Sequence, residues 1–142
     1  MTTQAIPAGA NQSNILKSIG AVLAGFVAVA ALSLGTDEIF HLLKVYPPWG
    51  QPMPSPAANA LALAYRMVYS VLGGYVTARL APRNPVKHAV ILGSIGLVIS
   101  ILGVIATLPM HLGPAWYPIG LAVTALPCSW LGGILYSKQI GQ

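Results

Sequence analysis

The stretch AANALALAYRMVYSVLGGYVTARLA, Ala57 to Ala81, decides how the chain is read. It is 25 residues long and mostly apolar, and a single arginine, Arg66, interrupts its interior. At about 1.5 Å per residue such a helix crosses a hydrocarbon core of roughly 30 Å. Arg66 then lies about 13 Å inside the start of the segment, near mid-membrane. An unpaired guanidinium at that depth costs about 2.5 kcal/mol or more, so it must face a partner inside a bundle. The other apolar segments are read as the structure that makes this arginine tolerable.

Composition supports a membrane protein. Of 142 residues, 56% are hydrophobic and 6% are charged, with mean hydropathy +0.73. Water-facing domains carry roughly 25% charged residues, so this chain has too few to cover a soluble surface. Length allows one helical bundle. The net charge of +5 comes from seven basic and two acidic residues. The basic residues flank apolar segments, where they set orientation and meet anionic headgroups, so nucleic acid is not the expected partner. The one cysteine, Cys128, excludes an internal disulfide and reads as a small packing residue.

Met1 to Asn14 read as a small, polar, poorly ordered tail, followed by an uncleaved first span that continues to Lys44 (15–44). Its pairs Gly20/Ala24 and Ala21/Gly25 have the small-xxx-small spacing that lets another helix approach closely. Val45 to Pro56 holds five prolines in twelve residues and is expected to form a stiff surface connector, with Tyr46 and Trp49 at headgroup level. The second span covers 57–81. After the linker Arg83–His88, the third covers 89–108, with Gly93, Gly96, Ser100 and Gly103 as a narrow seam. A second Pro/Trp/Tyr turn, Pro109 to Pro118, leads to the fourth span, 119–136, with a kink expected at Pro127. The fold class is therefore an all-α, four-helix, up-down transmembrane bundle.

Lys17, Arg79, Arg83, Lys87 and Lys138 lie at one end of these spans, and among basic residues only Lys44 lies at the other. The positive-inside rule puts both termini and the 79–88 linker in the cytoplasm, and loops 45–56 and 109–118 in the periplasm of a bacterial inner membrane. Ser70-Val-Leu-Gly-Gly and Ser129-Trp-Leu-Gly-Gly also suggest a tandem repeat of two helical hairpins. The second hairpin carries no counterpart of Arg66 or of the acids.

Asp37 and His41 share a helix face, and Glu38 and His41 stand three apart. Asp37 lies at a depth that suits Arg66. Two outcomes follow from that pairing. One is a buried ion pair that fixes helix register. The other is an outward-facing polar pocket lined by Asp37, Glu38, His41, Arg66, Tyr65 and Tyr69 and roofed by Trp49 and Trp116. The three histidines are split between the two ends of the bundle, so neither a metal nor any other cofactor is expected. No nucleophile arrangement or phosphate loop is present. The chain is expected to be a non-catalytic accessory, assembly or scaffold component whose partners are the bilayer and other membrane helices. The alternatives are a small four-helix transporter working through an embedded acid, and a membrane enzyme acting at His41.

Overall fold

The computed structural model describes residues 8–141, with side chains from residue 13 onward. Four α-helices, α1 (Ala8–Leu42), α2 (Pro56–Leu80), α3 (Pro85–Thr107) and α4 (Trp116–Ile140), account for most of the chain, with a short 3-10 turn at Leu108–Met110. There is no strand among the described residues.

The helix ends follow local chemistry. Ser55 caps α2, its Oγ accepting the Ala58 N–H at 3.3 Å, and Pro56 takes the first helical position, where no donor is missed. Pro82 holds Ala81 in an extended conformation, and the helix stops there. Helix α1 closes in a Schellman turn. Lys44 is left-handed (φ 61), its N–H donates to His41 O at 3.1 Å, and the Val45 N–H returns to Phe40 O at 2.9 Å.

Some boundaries differ from those the sequence suggests. Helix α1 is already formed at Ala8, inside the expected tail, whose residues 1–7 lie outside the described residues. Helix α3 begins four residues before the expected 89, because Pro85 is pre-set for a first helical turn. Helix α4 starts at Trp116, since Pro118 falls in the first turn, and it continues through Pro127 to Ile140.

Contacts fix an up-down arrangement. Thr77 and Gly73 of α2 meet Ala21 and Gly25 of α1, while Tyr65 meets Asp37, so the two helices are antiparallel. Gly133 meets Ala89 and Gly96 meets Ala125, so α3 and α4 are antiparallel as well. Helix α2 is central, touching all three others, and α1 makes no substantial contact with α4. The two Ser-x-Leu-Gly-Gly segments pack against one another, Gly74 on Ser129 and Gly132 on Val71. They do so unequally: Gly73 faces α1, whereas its counterpart Gly132 faces α2.

The interior is built of small and polar residues. Ala21, Ala62, Ala78, Ala89, Thr77 and Ser129 are buried, while large apolar side chains such as Leu23, Val27, Ile101 and Leu102 are exposed. Helices sealed by small residues with bulky apolar groups outside suit a solvent of acyl chains. Three helices, α1, α3 and α4, are long and apolar enough to cross a membrane. The fourth, α2, is not, because Asn59, Arg66, Thr77 and Arg79 lower its hydropathy. That polarity is sheltered: Asn59 and Thr77 are both buried.

Candidate functional site

Asp37 lies one turn before the end of α1 and is buried against α2. Both of its oxygens are used: Oδ2 accepts from Arg66 Nη2 and Oδ1 from the Tyr65 hydroxyl. Adjacent residues of α2 thus grip one carboxylate. Tyr46, folded back from the connector and buried, donates to the Tyr65 hydroxyl at 3.2 Å. Burial raises the Tyr46 phenol above its ordinary pKa, so it stays a donor. One turn along α2, Tyr69 donates to Thr36 Oγ1 at 2.7 Å, since the Thr36 hydroxyl proton is already given to Leu32 O. Phe40 packs against Tyr46 and Tyr65, closing the cluster on its loop side.

The structure brings together Asp37, Arg66, Tyr65 and Tyr69 of the residues expected in one pocket. It separates the others. Glu38 is one residue from Asp37, hence about 100° round the helix, and it is exposed. Its Oε2 accepts from Trp49 Nε1 at 2.9 Å. His41 donates through Nδ1 to Pro47 O at 2.6 Å and lies against the Trp49 ring, centroids 4.0 Å apart. Glu38, His41 and Trp49 therefore form a clasp on the connector rather than the wall of a pocket. Trp116 is exposed at the first turn of α4 and lines no cavity described here.

The space beside Arg66 is lined by neither of the acids. A cleft of about 630 Å³ opens between α2, α3 and α4 under the two loops, lined by Asn59, Arg66, Ser100, Thr107, His111 and Tyr117 among others. A smaller cavity of about 250 Å³ continues toward the chain termini, between Phe26, Met67, Leu92 and Thr124. Arg66, Ile99, Ser100 and Leu121 line both. The loops above are tied together: the Met53 N–H donates to Leu112 O at 2.5 Å, and Asn59 Nδ2 donates to Met53 O and Ser55 O, each at 2.8 Å.

Sequence reasoning missed Asn59, Tyr117 and His111 as cavity residues. The one signal was the α3 seam. Gly93 is pressed on Leu126 and Ser129, but Gly96 has only Ala125 nearby and Gly103 has nothing, so the seam seals at one end and gapes at the other. At the terminal end, buried His88 ties α3 to α1, donating through Nδ1 to Asn84 O at 3.0 Å and accepting at Nε2 from Ser18 Oγ at 2.8 Å. No group of three His, Cys, Asp or Glu among the described residues is placed to hold a metal. The chain matches no protein-family model, and no curated protein or solved structure is significantly similar to it.

Proposed function

We propose that the chain is a four-span component of a bacterial inner membrane, non-catalytic, that joins a larger assembly through the outer face of α1. In this reading α2 is the fourth span, its polar groups shielded by the other three helices. The termini and residues 81–84 face the cytoplasm. The Asp37–Arg66–Tyr65 cluster is a structural joint that sets the register of α1 on α2.

One observation carries the reading. Gly20, Ala24, Ala28, Ala31 and Gly35 recur at steps of four and three along α1, on the flank turned away from α2. A side chain at Gly20 or Gly35 would meet nothing within 4 Å. The companion pair, Ala21 and Gly25, is spent on packing against α2. Helix α1 thus has one small-residue face in use and one vacant, and in lipid such faces are where helices associate.

Native mass spectrometry from mild detergent tests it. The unmodified chain should run as an oligomer or with a co-purifying membrane protein, and Gly20→Leu/Gly35→Leu should release it as a folded monomer. A monomer in both cases overturns the assembly role. A second reading, a small transporter, draws on the cavities beside Arg66. Vesicles should then show substrate-dependent proton movement abolished by Asp37→Asn. The engagement of both Asp37 oxygens weighs against it.

A further inference from the structure

Arg66 does more than hold Asp37. Its close hydrogen bond is from Nη2 to Asp37, the Tyr117 hydroxyl stands beside the guanidinium on the cavity side, and its Nε is buried without any partner. The side chain is 27% exposed, and it lines both cavities where they adjoin. A guanidinium with five donors and one bonded carboxylate is under-used in a low-dielectric site, where an unmet donor is costly.

The character of the two lobes differs. The outer one has polar groups toward the loops. Asn59 gives both amide hydrogens to backbone carbonyls, which leaves its Oδ1 as an acceptor, and His111 and Tyr117 stand nearby on the same wall. The inner one is walled by Phe26, Val29, Met67, Leu92 and Ile99 and contains no ionisable side chain except Arg66. Together they have the size of a small-molecule site, roughly 300–1,000 Å³. Their polarity runs from wet to dry along the helix axis, as an amphiphile does.

Charge decides the class of ligand. Arg66 is the one permanent charge in either lining, and Asp37, which is 5% exposed, already balances it. A second anion on the guanidinium would place two negative charges around one positive charge away from water. A neutral carbonyl oxygen accepts the spare N–H donors without that penalty. We infer that the joined cavities, the outer between α2, α3 and α4 and the inner walled also by Phe26 and Val29 of α1, bind an uncharged amphiphile, its carbonyl oxygen on the Arg66 guanidinium and its apolar chain in the inner lobe. Neither Gly20 nor Gly35, on the vacant flank of α1, lines either lobe.

The full chain in dodecyl maltoside, a detergent without carbonyl groups, provides the test. The probe is a monoacylglycerol carrying a diazirine in its acyl chain. Ultraviolet cross-linking should place adducts on cavity residues such as Met67, Ser100 and Leu121. Unlabelled monoolein should compete at least tenfold better than its ether analogue, which lacks the carbonyl, or than oleate, which carries a charge. A Cβ at Gly96 meets only Ala125, at 3.7 Å, and one at Gly103 meets nothing within 4 Å, so Gly96→Leu and Gly103→Leu each partly fill the lobe that the glycine lines. Both should retain the melting temperature and lose the labelling. The proposal fails if adducts fall only on outward residues such as Ile101 and Leu102, if the ether or oleate competes as well as monoolein, or if the filled variants label like the parent. Should the filled variants melt early, the adduct map of the unmodified chain decides alone.

Discussion

At the scale of single residues, the fold turns on Asp37, whose two oxygens are both taken by neighbours on α2. Replacing Arg66 with leucine leaves a buried carboxylate uncompensated, and the expected loss is about 3–5 kcal/mol. Asp37→Leu combined with Arg66→Leu should regain most of it, as read by chemical or SDS unfolding of the purified chain. Tyr65→Phe removes both its donation to Asp37 Oδ1 and the acceptor of the Tyr46 hydroxyl, and about 1–3 kcal/mol should go. Tyr46 adds a pH dependence. Its folded pKa is raised, so its contribution is full below the ordinary phenol value of about 10 and declines as pH rises above it. Melting followed from pH 8 to 11 should fall less steeply in Tyr46→Phe. The pairing of Arg66 with Asp37 was legible from depth alone, because an arginine in an apolar run needs an acid at its own level. That Glu38 is excluded follows from helical geometry. That Tyr46 reaches in from a proline-rich connector has no sequence signal, because it depends on where the Schellman turn at Lys44 sends the chain.

At the scale of elements, glycines divide into those that seal and those that leave space. Gly74 and Gly132 sit against backbone of the facing helix, so alanine there must force α2 and α4 apart. A cost of about 1–3 kcal/mol is expected for Gly74→Ala, and almost none for Gly103→Ala, in the same unfolding assay. Both glycines look alike in sequence, where each belongs to a small-residue run. Only the positions of Leu126 and Ser129 on α4 distinguish a sealed seam from an open one. Helix ends were legible where proline or serine sets them, as at Ser55–Pro56 and Pro82. The end of α1, expected at Lys44 and found at Leu42, was legible to within two residues, but its turn was not, since the left-handed residue is a lysine where glycine is usual. Lys44→Gly relieves that conformation and should stabilise the chain by up to about 1 kcal/mol.

At the scale of the whole molecule, the inverted distribution of residue sizes and the positions of the basic residues work together. Bulky apolar groups cover the outside, and small residues with a few paired polar groups fill the inside. This was largely legible, because hydropathy and the paucity of charge leave a bilayer as the one suitable surrounding. Helix α2 follows the same rule, with its polar Asn59 and Thr77 buried and its apolar Leu61, Val68 and Leu72 exposed. Lys17, Arg79, Arg83, Lys87 and Lys138 gather at the end opposite the tied loops. Drawing them across a bilayer is opposed by the cytoplasm-negative potential, about 2.3 kcal/mol per charge per 100 mV. The orientation with this end inside, and α2 crossing, makes an unambiguous forecast for cysteine labelling. Cys128 is buried, and Cys128→Ala gives a silent background. In that background Gln51→Cys, exposed in the first loop, should react with an impermeant maleimide in intact cells, whereas Arg83→Cys should react only after the membrane is opened. Labelling of both positions in intact cells would mean that α2 does not cross. Labelling of Arg83→Cys alone would mean that the bundle is inserted the other way up, with the cleft beside Arg66 opening to the cytoplasm.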